Sequence, residues 1–83
     1  LDVELAQLSS AKPLAEGARV RLHVASAEVL ARVRLLGGPA VPPGGRAVAQ
    51  LRLERPVVAG RGDRVILRSY SPVTTIGGAT VLD

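Results

Sequence analysis

Apolar and polar side chains alternate along Ala18-Arg-Val-Arg-Leu-His-Val-Ala25 and again along Glu28-Val-Leu-Ala-Arg-Val-Arg-Leu-Leu36. A period of two residues is typical of a β-strand that buries one face, because successive side chains of a strand point to opposite sides. Ser26 and Ala27 separate the two segments, and a join of this length is short enough for a tight hairpin. The segments therefore predict two adjacent antiparallel strands.

The same alternation continues on both sides of this pair. Further strands are predicted at Val3 to Leu8, Ala47 to Glu54, Arg64 to Tyr70 and Ala79 to Leu82. Stretches rich in Gly and Pro separate them, and the longest, Gly37 to Gly45, is predicted to be a loop. Gly77 and Gly78 are expected to precede the last strand. Six short strands predict an all-β protein, a small closed six-stranded antiparallel β-barrel, since closure removes the sheet edges.

The strongest alternative to this assignment is a helix over Ala25 to Leu36. Its Ala, Glu, Leu and Arg residues are good helix formers, and Glu28 and Arg32 are spaced as a stabilising helical pair. Because no other segment has a helical pattern of useful length, the β assignment is favoured.

The size and composition indicate one small globular domain. Of the 83 residues 47% are hydrophobic, and no apolar run approaches the roughly 20 residues that span a bilayer. The absence of Cys excludes disulfides and thiolate metal sites, and the absence of Phe, Trp and Met requires an aliphatic core. Because the chain also lacks Met at Leu1, we expect residues 1–83 to be a single β-barrel domain excised from a larger protein.

The charge balance favours an anionic partner, nucleic acid first. Eleven Lys and Arg residues against seven Asp and Glu give a net charge of +4, and ten of the eleven cations are Arg. Four arginines are expected on the outward face of the first two strands: Arg19, Arg21, Arg32 and Arg34. The alternative is that Glu28, Glu54 and Asp63 neutralise them as ordinary surface pairs.

Motifs for catalysis are missing from the chain. The only lysine, Lys12, follows no glycine-rich loop, so a nucleotide-binding P-loop is excluded. His23 and Asp63 lack a nucleophile motif, and His23 is expected on a polar strand face. Arg61-Gly62-Asp63 spells a cell-adhesion tripeptide, but Gly-Asp is also an ordinary turn pair. The sequence therefore predicts a domain that is not an enzyme.

Several motifs, taken in order, resemble the third domain of EF-Tu-like translational GTPases. They are Arg19-Val-Arg-Leu-His-Val-Ala-Ser-Ala-Glu-Val, Pro43-Gly-Gly, Ala49-Gln-Leu-Arg-Leu-Glu-Arg-Pro-Val-Val, Gly62-Asp-Arg-Val-Ile-Leu-Arg68 and Thr75-Ile-Gly-Gly. Three segments are most similar to the selenocysteine-specific elongation factors, the SelB family: Ala27-Glu-Val-Leu-Ala-Arg-Val33, Arg68-Ser-Tyr-Ser-Pro-Val and Thr75-Ile-Gly-Gly.

The resemblance implies a six-stranded barrel that follows a GTP-binding domain and a second barrel. GTP and magnesium are then expected in the GTPase domain of the parent protein, and none in this domain. The implied partners are an aminoacyl-tRNA, here selenocysteyl-tRNA, the parent's own GTPase and second barrel domains, and the ribosome. The implied localisation is cytoplasmic, without a membrane partner.

The resemblance also implies where the tRNA binds. The segment Arg68, Ser69, Tyr70 and Ser71 matches one that lies along the T stem of tRNA in the elongation factors. Ser69 and Tyr70 replace an acidic residue and a glycine of the general pattern, and Thr74 stands where a basic residue is common. The competing hypothesis is a protein-interaction barrel, for which apolar residues on outward faces are candidates: Leu30, Leu36 and Ile66.

Overall fold

In a computed structural model, which describes residues 1–82, the chain folds into eight β-strands. In chain order the strands are β1 (Asp2–Gln7), β2 (Leu14–Ala15), β3 (Arg19–Val24), β4 (Ala27–Leu35), β5 (Ala40–Val41), β6 (Arg46–Leu53), β7 (Arg64–Ser69) and β8 (Thr75–Val81). None of the described residues forms a helix long and apolar enough to cross a membrane.

Six of the strands close into a barrel, which confirms the predicted fold. The order around the barrel is β1-β6-β4-β3-β7-β8, with β8 returning to β1, and every neighbouring pair is antiparallel. The observed barrel strands begin or end within one or two residues of the predicted ones, except for β8.

The segment Gly37 to Gly45, predicted to be entirely loop, contains β5. This short strand pairs with β2, and Val41 lies opposite Leu14. Both side chains are buried and belong to the core cluster. Each of the two extra strands contributes one apolar side chain to the core. Because each is only two residues long, neither shows an alternating pattern in the sequence.

The helix alternative for Ala25 to Leu36 is wrong, because most of this segment is β4. A central strand with partners on both sides hydrogen-bonds its backbone to β3 and β6, which outweighs intrinsic helix propensity. The hairpin loop consists of Ala25 and Ser26, one residue earlier than predicted, since Ala27 already pairs with Val24. Ala25 adopts φ 53°, as the first residue of a tight hairpin turn requires.

The glycine pair expected before the last strand lies inside β8, which begins at Thr75. Gly77 pairs with Gln7 of β1, and a Cβ atom at Gly77 would collide with the backbone carbonyl of Ala6. Glycine at position 77 therefore permits the close approach of β1 and β8. It is part of strand β8 and does not end it.

The barrel interior is aliphatic, as the composition predicts. Its largest fully buried side chains are Leu5, Leu22, Leu51, Leu67, Val3, Val20, Val33, Val41 and Val81. They come from all six barrel strands and from β5, and burial of one such side chain contributes about 1.5–3 kcal/mol. The core thus fixes which face of each strand is outward.

Candidate nucleic-acid interface

The outward face of β3, β4 and β7 carries arginines predicted from the sequence. Arg19 lies directly opposite Arg32 on β4, and Arg21 lies opposite Arg68 on β7. Val20, which lies between Arg19 and Arg21 on β3, is buried, so the side chains of these two arginines face away from the core. Cβ atoms of directly opposed residues are about 4.5–5.5 Å apart, so this face concentrates positive charge.

Arg19 forms a bidentate ion pair with Glu54, at the end of β6. Nε and Nη2 of Arg19 donate to the two carboxylate oxygens at 2.9 Å each. The hydrogen bond to Glu54 raises the pKa of Arg19 above its ordinary value, and the same bond lowers the pKa of Glu54 below 4.5, with a further contribution from the charge of Arg32. Arg19 is thus neutralised within the domain.

Arg21 and His23 share the carboxylate of Glu28. Arg21 Nη1 donates to Oε1 at 3.2 Å, and His23 Nε2 lies 2.8 Å from Oε2. Burial opposes the charged form of Glu28, but the hydrogen bonds of Arg21 and His23 outweigh it and hold the pKa of Glu28 below 4.5. His23 therefore lies on the polar strand face, as predicted, and pairs with a carboxylate.

Tyr70 is braced by both paired arginines. The guanidinium carbons of Arg19 and Arg21 lie 4.7 Å and 5.0 Å from the centre of the Tyr70 ring, within the range of cation–π contacts. Arg21 Nε also donates to the backbone carbonyl of Tyr70 at 3.2 Å. Tyr70 as a whole remains 41% exposed. Arg19 and Arg21 thus hold an accessible tyrosine in place.

The alternative that carboxylates neutralise the face is therefore right for Glu28 and Glu54 but not for Asp63. Glu28 and Glu54 form ion pairs, whereas the Asp63 carboxylate accepts a hydrogen bond from the backbone of Gly60 at 2.8 Å and closes a turn. Gly62 adopts φ 86° in that turn. The Arg61-Gly62-Asp63 tripeptide accordingly has a structural explanation as the tight connection before β7.

The loop after β7 is closed by Ser69. The Ser69 hydroxyl hydrogen-bonds to Pro72 O and, at 3.0 Å, to Thr74 Oγ1, and the Ser69 amide donates to Thr74 O at 2.8 Å. The Ser71-Pro72 peptide bond in this loop is cis. Ser69 thus shapes the loop through internal bonds, while Ser71 is exposed beside it.

Within residues 1–82, three of the predicted site arginines form no ion pair, and of these only Arg32 uses its guanidinium in a hydrogen bond, to the Gly17 carbonyl. No carboxylate in that range forms an ion pair with Arg68 or Arg34. Glu54 is already occupied by Arg19, and Asp83 lies outside the described residues. Arg34 lies opposite Gln50 on β6.

A groove of about 460 Å³ opens beside Tyr70, and sequence reasoning missed it. Its walls are the loop before β2, with Ser10 and Lys12, and the loop after β7. Gln7 contributes to the groove and is buried, with its amide nitrogen donating to Lys12 O at 3.0 Å and Val41 O at 3.1 Å. A signal was present, because Gln7 is a polar residue in the inward phase of a strand.

Arg52 was also missed. It is exposed on β6 and lies directly opposite Arg32. The alternation of the strand predicted at Ala47 to Glu54 already placed Arg52 on a polar face, but the register that brings it to Arg32 is visible only in the folded barrel.

The apolar candidates for a protein contact differ in exposure. Leu36 is 57% and Ile66 is 51% exposed, whereas Leu30 is half-buried. Ile66 lies opposite His23 on one side and Gly78 on the other. The outer surface of β7 therefore includes an apolar residue next to the polar cluster.

Comparison with known proteins identifies the family. The family described as "Selenocysteine-specific elongation factor, beta-barrel domain" matches residues 2–83. A selenocysteine-specific elongation factor of Desulfomicrobium baculatum is 40% identical over 83 residues, which are 99% of this chain and 13% of that protein. One of Haemophilus influenzae is 31% identical over 77 residues, which are 93% of this chain and 12% of that protein.

The chain thus spans only 13% and 12% of the length of these two relatives. The resemblance drawn from the motifs agrees with the family match and with the closed barrel. The chain belongs to the family of selenocysteine-specific elongation factor beta-barrel domains.

Proposed function

We propose that this barrel is the tRNA-binding third domain of a SelB-like elongation factor that delivers selenocysteyl-tRNA to the ribosome in a GTP-dependent manner. The barrel supports the acceptor and T stems of the tRNA and packs against the factor's own GTPase and second barrel domains. The observation that carries the proposal is the position of the strand end Arg68 to Ser71 beside an outward face of arginines.

The side chains at this strand end suit a double-stranded RNA stem. Such a stem offers phosphates, 2′-hydroxyls and shape rather than readable base edges. Arg68 can donate to a phosphate because no carboxylate of residues 1–82 pairs with it. Ser71 presents an exposed hydroxyl, and Tyr70 presents a braced aromatic side chain. No base-specific readout is required.

The roles of the site residues differ. Arg68, Tyr70 and Ser71 touch the RNA, and Arg32 and Arg34 add positive charge on the same face. Arg19 and Arg21 position Tyr70, since their charges are already paired with Glu54 and Glu28. Ser69 positions the loop through Thr74. The tRNA contact is thus concentrated in a few free groups on a rigid strand end.

The chemistry of GTP lies in another domain of the factor. We infer that residues 1–83 are one barrel of a larger translational GTPase, which holds GTP and magnesium in its own GTPase domain and meets the ribosome as a whole. This barrel is not an enzyme and needs no cofactor. The factor acts in the cytoplasm.

A second candidate is a barrel of a translational GTPase whose main role is protein–protein interaction. The exposure of Ile66 and Leu36 favours it, because apolar side chains that are half or more exposed are suitable contacts for another domain. In that case the arginines would serve solubility, and their removal would leave tRNA affinity unchanged.

The two candidates are separated by Arg68→Gln in the full-length factor. We expect selenocysteyl-tRNA affinity to fall by about tenfold or more, since a charge-assisted contact contributes about 1.5–3 kcal/mol, with GTP affinity unchanged. The matched control is Arg64→Gln, at the opposite end of the outward face of β7. Equal tRNA affinities of the two variants would contradict the tRNA-binding role.

A further inference from the structure

Three arginines lie in one row across the outer surface of the barrel. Arg19 on β3 is opposite Arg32 on β4, and Arg32 is opposite Arg52 on β6. Like charges directly opposite each other on neighbouring strands are destabilising. A sheet that places three guanidinium groups side by side therefore needs negative charge nearby.

The domain supplies only one carboxylate that pairs directly with this row, and it pairs with Arg19. Glu54 uses both carboxylate oxygens on Arg19, at 2.9 Å each. No carboxylate of residues 1–82 forms an ion pair with Arg32 or Arg52. Arg32 therefore feels the Glu54 charge only at longer range, and Arg52 has no carboxylate partner in the part of the chain that the structure describes.

The free donors of this pair are suited to a phosphate group. A guanidinium carries five N–H donors in a planar fork that matches phosphate oxygens. Arg32 uses one, from Nη1 to the backbone carbonyl of Gly17 at 3.1 Å, which ties its head group to the turn before β3. Both residues are exposed on an open strand face rather than in an enclosed cavity. Such a surface fits a phosphate carried by a large polyanion better than a small metabolite.

We propose that Arg32 and Arg52 together bind one phosphate of the RNA backbone, as a second contact separate from the strand end Arg68 to Ser71. The proposal rests on the proposed function, because it takes the polyanion to be the same tRNA. Arg52 on β6 and Arg68 on β7 lie three strand positions apart, which is half the circumference of the closed six-stranded barrel. The RNA backbone would therefore cross the strands of the barrel rather than touch only one strand end.

This arrangement predicts an unusual combination of effects for Arg52→Gln in the full-length factor. Selenocysteyl-tRNA affinity should fall about tenfold at low salt, and the slope of log affinity against log salt should become shallower by about one phosphate contact. The melting temperature should stay the same or rise, because one of two opposed charges is gone. The matched control is Arg46→Gln, exposed on the same outward face at the other end of β6.

A double variant tests whether the two arginines share one phosphate. If they do, Arg32→Gln combined with Arg52→Gln should cost less affinity than the product of the two single losses, because the second change removes a contact already weakened. Independent, fully multiplicative losses would overturn the shared site. So would an Arg52→Gln affinity equal to that of Arg46→Gln, or an Arg52→Gln loss of affinity accompanied by a lower melting temperature.

The same measurements separate this inference from the function on which it rests. Reduced affinity for Arg68→Gln with unchanged affinity for Arg52→Gln would remove the second phosphate contact and leave the tRNA-binding role standing. Unchanged affinity for both variants would overturn both.

Discussion

Arg19 and Glu54 form an ion pair that spans the outer face of β4, linking β3 to the end of β6. The two residues are 35 positions apart in the sequence, and their strands do not pair with each other. Because Arg19 also lies 4.7 Å from the Tyr70 ring, the same contact that neutralises Arg19 fixes the aromatic side chain of the strand end. A carboxylate that follows β6 therefore helps to hold the side chain of Tyr70, which follows β7, three strand positions away in the barrel.

This ion pair predicts a dependence of stability on acid. The pKa of Glu54 in the folded state lies below the value of 4.5 expected for the unfolded chain. Between the folded and the unfolded pKa the unfolded state binds more protons, so stability rises with pH in that range. The stabilisation is complete above pH 4.5 and is lost as the pH falls through the folded pKa. Carboxyl NMR titration of the 83-residue chain measures the Glu54 pKa in the folded state. Arg19→Gln should return the Glu54 pKa towards 4.5, and an unchanged value would contradict the pairing.

Gly77→Ala should destabilise the barrel strongly. The added methyl group would meet the Ala6 carbonyl, so β1 and β8 must separate, at a cost of about 1–3 kcal/mol or more in the free energy of unfolding. The control is Gly78→Ala, whose Cβ would have its nearest neighbour, the Val65 carbonyl oxygen, at 3.4 Å. Urea unfolding of the two variants gives the comparison. Equal stabilities would show that the close approach is not the reason for Gly77.

Gln7→Leu should loosen the loop before β2 from the barrel. The change removes an amide donor to Lys12 O and Val41 O and leaves buried carbonyls without a partner, which costs about 1–3 kcal/mol. Gln50→Leu is the matched control, because Gln50 is half-buried and makes one longer bond of 3.4 Å to Asp2. Amide exchange would localise the effect. Protection in β2 and β5 that survives in Gln7→Leu would contradict this role.

Much of the fold could be predicted because alternation is a local property. The residues from Ala18 to Leu36 indicate two strands and their outward arginines without knowledge of any partner. Gly77 could not be placed in a strand in the same way, since its role depends on the distance to Ala6 of another strand. A glycine pair in isolation has the composition of a turn.

The features of the site likewise divide into those that a local sequence pattern predicts and those that depend on contacts between distant segments. Arg68 to Ser71 follows from motif resemblance, and the outward face of Arg19 and Arg32 follows from alternation. The ion pair of Arg19 with Glu54 and the opposition of Arg32 and Arg52 follow from register across non-adjacent segments, which no local pattern encodes. Hence the sequence indicated which arginines are outward but not which of them are already paired.

Tyr70→Leu in the full-length factor should weaken selenocysteyl-tRNA binding without unfolding the barrel. Leucine retains apolar bulk but provides no aromatic face for Arg19 and Arg21, so the strand end loses its brace. We expect an affinity loss of several-fold and a melting temperature changed by only a few degrees, since Tyr70 is exposed. Tyr70→Phe keeps the aromatic face and should retain most of the affinity. An equal loss for both variants would point to the hydroxyl group instead of the ring.

The most direct test of tRNA binding by this barrel is site-specific photo-crosslinking in the full-length factor. A photoreactive residue at Ser71 should crosslink to the acceptor or T stem of selenocysteyl-tRNA in the presence of GTP. The same residue at Arg64, exposed at the far end of β7, should not. Crosslinks from Ser71 to protein alone, or RNA crosslinks from Arg64 and none from Ser71, would contradict the account.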